Sequence, residues 1–275
     1  MSDPRSVLTR PAPPPDLTVS YGPLPDHVAD VWLPDDAGPA PLCVVVHGGF
    51  WRSKFDRTHT GPQCAAFAAA GLATVSIEYR RTGDGGGWPA TFDDVALALD
   101  TIASVVSAAA PGRVDTGRVA HVGHSAGGHL AVWAASRHQL PENSRWWRPS
   151  PDAAVRGVVS LAGVMDLASA ATARLDDGAT QTLLGGDPDT VPDRYDLCDP
   201  LRLTPPGVPV VLIHGTDDDH VPPEFSHRYA AVAGQTVDLV SLPEIEHFGV
   251  IDPMSTAWPV VQEHVSALLR AIDDR

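Results

Sequence analysis

Ser125 stands in a short glycine-rich stretch that reads Gly-His-Ser-Ala-Gly. The apolar strand pattern RVAHV precedes it, and a helical pattern that includes Leu130 and Trp133 follows it. A tight turn between a strand and a helix exposes a serine hydroxyl, and bulky side chains two positions before or after that serine would clash, which favours glycine there. The amino end of the helix also favours the negative charge that develops when a hydroxyl attacks a carbonyl. The stretch therefore predicts a nucleophilic serine at Ser125.

Three histidines in the same stretch raise the alternative of a metal site: His121, His124 and His129. These residues fall on a strand, a sharp turn and a helix, so their rings should point in different directions. A metal ion needs ligands that converge on one point. We therefore expect these histidines to pack in the scaffold rather than to bind a metal.

A serine hydroxyl needs a general base, and the base needs a carboxylate that holds its tautomer. In a strand–turn–helix setting, the carboxylate and the histidine follow the serine in chain order. Three aspartates at 217–219 follow one apolar run, and His247 follows the next. We predict Asp218 as the carboxylate and His247 as the base. Asp217 or Asp219 could replace Asp218, and the three acids could instead cap the next helix.

The negative charge on the substrate oxygen requires backbone N–H donors. Gly48 and Gly49 follow the apolar run PLCVVV, and Ala126 follows the serine. We predict that the amides of these three residues form an oxyanion hole. A phosphate-binding loop is the alternative for the glycine pair. It is disfavoured because no Lys-Ser or Lys-Thr follows and no GxGxxG occurs there.

Aromatic and basic side chains adjoin these motifs. We predict that Phe50, Trp51 and Phe248 line the substrate pocket, with plain packing in the core as the alternative. Arg80 and Arg81 end an apolar run, where they could bind a substrate carboxylate or pair with a nearby aspartate.

The elements that must position these residues alternate along the chain. Strand patterns occupy residues 17–21, 27–33, 41–46, 72–79, 118–122, 155–161, 209–213 and 237–242. Most of these runs are continuously apolar, which is typical of parallel strands buried on both faces. Helical stripes fall between or after them at 95–106, 225–232 and 261–272. We predict an α/β fold, with helices on both faces of a mainly parallel sheet and the site at the carboxyl ends of the strands.

One domain is predicted over residues 1–275. Residues 1–15 end in PAPPP and are expected to form an extended amino-terminal arm. Residues 168–206 are rich in Pro, Gly and Asp, which favours a loop-rich lid or insertion over the carboxyl edge of the sheet.

Composition excludes several classes of partner. The net charge of −15 leaves no basic surface for nucleic acid or for an anionic membrane. Three widely spaced cysteines, Cys43, Cys64 and Cys198, predict no zinc site and favour a reducing cytoplasm. The amino terminus lacks the apolar run of a secretory signal, and no stretch reaches the length of a membrane span. A homodimer is compatible with this composition.

Together the motifs resemble those of the α/β-hydrolase superfamily. The resemblance is carried by HGGFW at 47–51, GHSAGGHL at 123–130, HGTDD at 214–218 and EHF at 246–248. More narrowly, it points to the hormone-sensitive-lipase-like esterases and, within them, to the kynurenine formamidases (arylformamidases). In that family the fourth residue of the first motif is often Tyr, and the serine motif often reads GHSAGAHL. Phe50, Gly128 and Gly249 depart from its usual pattern.

The resemblance covers most of the chain from Tyr21 onward. It implies a serine hydrolase with an α/β-hydrolase fold and an acyl-enzyme at Ser125. It implies a small-molecule substrate, an N-formyl aryl amide in the first interpretation and a short-chain ester in the alternative. No metal or organic cofactor is expected. A third interpretation, from another class, is a non-catalytic ligand-binding protein on this fold, although such proteins usually lack a triad residue and here all three are present.

Overall fold

An eight-stranded sheet forms the centre of the computed structural model, which describes residues 3–270. Its strands are β1 (Leu17–Ser20), β2 (Val28–Trp32), β3 (Ala40–Val46), β4 (Ala73–Ile77), β5 (Val114–His124), β6 (Val155–Leu161), β7 (Val210–Gly215) and β8 (Val237–Leu242). They lie in the order β1-β2-β4-β3-β5-β6-β7-β8. The pairs β1–β2 and β2–β4 are antiparallel, and every neighbouring pair from β4 to β8 is parallel. The predicted α/β architecture is confirmed.

Helices cover both faces of this sheet. Within residues 3–270 they are α1 (Gly61–Ala69), α2 (Ala90–Ala109), α3 (Ala126–Ala135), α4 (Leu167–Thr172), α5 (Leu175–Leu184), α6 (Pro192–Cys198), α7 (Glu224–Ala233) and α8 (Trp258–Leu269). The predicted stripe at 261–272 lies in α8, except that Ile272 falls outside the described residues.

Two apolar clusters separate along β3 because successive side chains of a strand point to opposite faces. Val44 and Val46 pack in one cluster with residues of α2 and α3. Cys43 and Val45 pack in the other with residues of α1 and α8. Burial on both faces explains why this strand reads as an unbroken apolar run.

Residues 168–206 do not form the expected loop-rich lid. They fold mainly as the three short helices α4, α5 and α6. The residue types that suggested loops lie at a kink and at helix ends: Asp176, Asp177 and Gly178 have positive φ within α5, Gly185 ends α5 with φ 77°, and Pro192 begins α6. Short helices interrupted by a kink leave no regular apolar stripe, so the segment resembles a loop in sequence.

The first part of residues 1–15 is not an extended arm. Pro4–Thr9 forms a 3-10 helix that packs against the domain. Val7 is 1% exposed, and the Arg10 guanidinium pairs with the Asp252 carboxylate. One buried residue in a short helix leaves no periodic pattern in the sequence, so composition alone suggested an extended segment.

The three cysteines are free thiols in buried positions. Burial raises the pKa of the Cys64 thiol to about 12 and raises the pKa values of Cys43 and Cys198 well above their ordinary range. All three therefore stay protonated and pack as small apolar side chains.

No helix within residues 3–270 has the length and apolar character that crossing a bilayer requires.

Candidate active site

Ser125 lies on the predicted strand–turn–helix, between the end of β5 and the first residue of α3. Its backbone has φ 54° and ψ −118°, a strained conformation for a residue with a side chain that costs about 1–3 kcal/mol. Backbone hydrogen bonds of Ser125 hold the turn. The Ser125 amide donates to the Leu161 carbonyl at 2.8 Å, and the Ser125 carbonyl accepts from the His129 amide at 3.1 Å. The neighbouring elements thus stabilise the strained turn that presents the hydroxyl.

Close approach of backbone segments requires the glycines of this turn. A β-carbon on Gly123 would lie 2.2 Å from the Gly127 carbonyl oxygen, and one on Gly127 would lie 2.0 Å from the Val46 carbonyl oxygen. A β-carbon on Gly128 would lie 2.9 Å from the α-carbon of Gly163. The departure from GHSAGAHL at Gly128 therefore follows from the approach of the segment after β6.

His247 and Asp218 form the predicted base–carboxylate pair. The Nδ1 atom of His247 donates to Oδ2 of Asp218 at 2.7 Å, and both side chains are buried. The other carboxylate oxygen accepts from the amides of His220 at 2.9 Å and Val221 at 2.8 Å. Burial would raise the pKa of Asp218, but hydrogen bonds from His214 and His247 outweigh it and hold this pKa far below its usual range. Asp218 is therefore an ionised carboxylate, and its oxygens only accept hydrogen bonds.

His214 supports this carboxylate from β7, a role that the sequence did not predict. Its Nε2 lies 3.1 Å from Oδ2 of Asp218 and 3.0 Å from the Val221 carbonyl oxygen. Both partners only accept, so Nε2 carries the proton and Nδ1 accepts from the Ser226 hydroxyl at 2.7 Å. The available signal was the histidine four residues before Asp218 at the end of an apolar run.

The neighbouring aspartates do not contact His247. Asp217 is exposed and accepts from the Thr216 hydroxyl, whereas Asp219 is exposed and bonds the His220 ring at 2.6 Å. The geometry thus favours Asp218 among the three acids.

The ring of His247 is placed by two other histidines. The Nε2 of His124 donates to the His247 carbonyl at 3.0 Å, and the His220 ring stacks on the His247 ring with centroids 5.0 Å apart. Burial lowers the pKa of His247 below its ordinary value, and the Asp218 carboxylate offsets this only in part. At neutral pH the ring is therefore neutral and can accept a proton. It faces the same pocket as Ser125.

We expect kcat/KM to rise with pH along an acid limb below pH 6.5 and to be level from neutral pH upward. The physical reason is that protonated His247 cannot accept the serine proton, and the lowered pKa moves that loss to more acidic pH. The measurement is kcat/KM for a neutral ester between about pH 5 and pH 9. A flat profile, or an acid limb centred above pH 7, would contradict a histidine base in this environment.

The loop after β3 brings the predicted oxyanion donors to Ser125. A β-carbon on Gly48 would lie 3.2 Å from that of Ser125, and Gly49 has φ 110°, which favours glycine. In the part of the chain that the structure describes, the amides of Gly49 and Ala126 donate to no other backbone group. These amides are free to bind an oxyanion, with the first amide of α3 aided by its helix.

A buried histidine–glutamate pair supports this loop. His47 bonds Glu78 at 2.9 Å through Nε2 and the Gly48 carbonyl at 2.8 Å through Nδ1. The Tyr79 ring stacks on His47, and its hydroxyl donates to the His47 carbonyl at 2.8 Å. Burial would raise the pKa of Glu78, but His47 outweighs this and the pKa falls to about 2. The predicted role of His47 in anchoring the loop agrees with these contacts.

The pocket has a volume of about 310 Å³. Two of the three aromatic residues predicted to line it do so, Phe50 and Phe248. Trp51 does not, which corrects that prediction. Phe50 and Trp51 have φ 49° and 57°, and this reversal of the chain turns the indole into the core. Trp51 is 1% exposed, and its Nε1 donates to Nδ1 of His129 at 3.2 Å.

The sequence did not predict the remaining wall of the pocket, to which distant segments contribute. These lining residues are Arg5, Leu8, Arg52, Lys54, Phe55, His59, Asp176 and His220.

The histidines of the serine stretch are scaffold residues, as expected. His129 lies between the Trp51 indole and the Cys198 carbonyl, which accepts from its Nε2 at 3.0 Å. Burial lowers the pKa values of His121 and His129 to about 4, so both are neutral. Among the described residues, the side chains close enough to share a metal ion are instead Asp218, Asp219 and His220. This group does not suit a metal, because both oxygens of Asp218 already accept protein hydrogen bonds.

Arg80 and Arg81 form structural contacts rather than a carboxylate site. Arg80 holds Asp94 through Nε at 2.8 Å and Nη2 at 2.7 Å. Arg81 donates to the Phe55 carbonyl at 2.9 Å and pairs with Asp26 at 3.2 Å. Of the two alternatives for these arginines, the ion pair is the one observed.

Comparison with known families matches residues 29–232 to the BD-FAE model. This chain belongs to the BD-FAE family. The BD-FAE match includes the Gly48–Gly49 loop, Ser125 and Asp218. It begins after the amino-terminal 3-10 helix and ends before His247.

Two relatives of this BD-FAE chain come from Mycobacterium tuberculosis (strain ATCC 25618 / H37Rv). Esterase LipC is 29% identical over 249 residues, which cover 86% of this chain and 61% of LipC. Esterase LipQ is 28% identical over 247 residues, which cover 83% of this chain and 56% of LipQ. The aligned part of the chain thus spans about three fifths of the length of these relatives.

Solved structures agree with the fold of this BD-FAE chain. Esterase B from Lactobacillus rhamnosis has a TM-score of 0.78 at 18% identity and covers 96% of this chain and 90% of its own. A truncated carbohydrate esterase from gut microbiota has a TM-score of 0.74 at 20% identity, with 93% and 99% covered. At such identities the likeness shows the α/β-hydrolase fold alone.

Proposed function

We propose that this chain is a serine hydrolase that cleaves small carboxylic esters. One observation carries the proposal: Ser125, on its strained turn, faces the same pocket as His247, whose ring is hydrogen-bonded to Asp218 at 2.7 Å. A nucleophile, a base and a carboxylate in this relation activate a hydroxyl for attack on an acyl carbon.

The reaction proceeds in two stages. Nε2 of His247 accepts the Ser125 proton as the oxygen attacks the carbonyl carbon, while Asp218 holds the Nδ1–H tautomer. The amides of Gly48, Gly49 and Ala126 bind the oxyanion. The C–O bond to the leaving alkoxide then breaks, and His247 gives it the proton. Water, activated by the same imidazole, releases the acid and restores the serine.

Support for an ester over an N-formyl aryl amide comes from the relatives, since LipC and LipQ are both named as esterases. The first expectation, an arylformamidase, keeps one supporting observation. Phe50, Phe55 and Phe248 line the pocket and would pack against an aryl group. We therefore retain the formamide as the second candidate substrate.

A side-by-side assay of the purified chain separates the candidates. We expect turnover of 4-nitrophenyl acetate and butyrate to exceed turnover of N-formylkynurenine, because an alkoxide or phenoxide leaves more readily than an arylamine. Turnover of N-formylkynurenine alone would identify a formamidase instead. Folded protein that turns over none of these and resists a fluorophosphonate probe would be a non-catalytic binding protein.

A further inference from the structure

The amino-terminal 3-10 helix, Pro4–Thr9, forms part of the wall of the catalytic pocket. Arg5 and Leu8 both line that pocket, and buried Val7 anchors the helix to the domain. This segment precedes the part of the chain that matches the family, 29–232. Part of the pocket wall therefore lies outside the family match.

Arg5 brings a positive charge to this wall without a carboxylate partner. Within residues 3–270 its guanidinium forms no ion pair; it lies 5.8 Å from the centre of the Phe248 ring and donates through Nη2 to Nε2 of His220 at 2.8 Å. A guanidinium has five N–H donors, so most remain available. Carboxylates border the adjoining cleft that Arg5 also lines: Asp3, Asp217, Asp219 and Glu246.

Lys54, the one lysine of the chain, brings a second such charge. Its ammonium lies 5.4 Å from the centre of the Phe55 ring, and in the described residues it has no carboxylate partner. Arg52 also lines the pocket, but it pairs with Asp176. His59 adds no charge, because burial lowers its pKa to about 4. Among the charged residues that line this pocket, Asp176 is the acid and it is paired with Arg52, whereas Arg5 and Lys54 have no acidic partner in the described residues.

We propose that this pocket selects ester substrates that carry a carboxylate, with Arg5 and Lys54 as its binding residues. The proposal rests on the proposed esterase function. Arginine binds a carboxylate through paired N–H donors, and the Phe55 and Phe248 rings beside the two cations pack against the hydrocarbon part of the substrate.

Two ester pairs test this selection, each differing only by methylation of one carboxylate. Mono-4-nitrophenyl adipate and its methyl ester place the charge on the acyl side, and 4-acetoxybenzoate and its methyl ester place it on the leaving group. We expect the free carboxylate to be favoured in kcat/KM by about tenfold in one pair, and the preference to shrink as salt rises. The favoured pair identifies the side of the substrate that meets the cations.

Variants assign the preference to its residues. Arg5→Gln and Lys54→Gln should each lower the charged-to-neutral ratio, and the double variant should bring it to about one. Arg5→Lys should keep much of the ratio. Arg156→Gln should leave it unchanged, because Arg156 lies at the amino end of β6, at the opposite end of the strands from the pocket. The ratio compares two substrates of the same variant, so a general loss of activity would leave the charged-to-neutral ratio unchanged.

Equal turnover of both members of each pair, or a ratio unaffected by the double variant, would overturn the carboxylate proposal while leaving the esterase in place. No turnover of any ester would instead overturn the proposed function on which it rests.

Discussion

A Ser125→Ala chain should turn over esters at least about 10³-fold more slowly than the unaltered protein. The methyl group cannot form the acyl-enzyme, and only the oxyanion donors and binding remain to assist water. Alanine also keeps a β-carbon on the strained turn, so the fold should persist. The measurement is kcat for 4-nitrophenyl butyrate, together with labelling by a fluorophosphonate probe, which should disappear.

The matched control for this prediction is Ser104→Ala. Ser104 is an exposed serine on α2 whose hydroxyl donates to the Thr101 carbonyl, so its loss should leave turnover and labelling near the unaltered level. If Ser125→Ala retained turnover and labelling comparable with this control, another nucleophile would have to carry the reaction.

The sheet was predictable because its strands are buried on both faces. Successive residues such as Val44 and Val45 pack in different apolar clusters, so the strand appears in the sequence as a continuous apolar run. Segment 168–206 was not predictable in the same way. Its helices are short, and α5 contains a kink at Asp176, Asp177 and Gly178, where φ is positive, so no regular apolar stripe runs through the segment.

The triad was predictable because its chain order and its place after strands follow from the fold. Three other features of the site did not follow from the fold pattern. Trp51 points into the core because of a local positive φ, His214 supports Asp218 across a turn, and Arg5 reaches the pocket from the amino terminus. Spacing in the sequence gives no sign of a backbone reversal or of a wall contributed from far along the chain.

Asp218→Asn should lower kcat by about 10⁴-fold with the fold retained. The amides of His220 and Val221 can only donate, so the asparagine carbonyl must face them and its NH₂ must face His247 and His214. Nδ1 of His247 then becomes an acceptor, Nε2 carries the proton, and the ring can no longer take the serine proton. His214 can keep its Nε2 proton, because the Val221 carbonyl at 3.0 Å still accepts it.

Asp217→Asn is the matched control for this change, because Asp217 is exposed and contacts Thr216 rather than His247. It should keep turnover near that of the unaltered chain, while Asp219→Asn should change it by only a few fold through the His220 ring. Both variants and Asp218→Asn are compared by kcat and by thermal unfolding. Near-normal turnover in folded Asp218→Asn, with a large loss in either neighbour, would mean that the catalytic carboxylate is not the one bonded to His247.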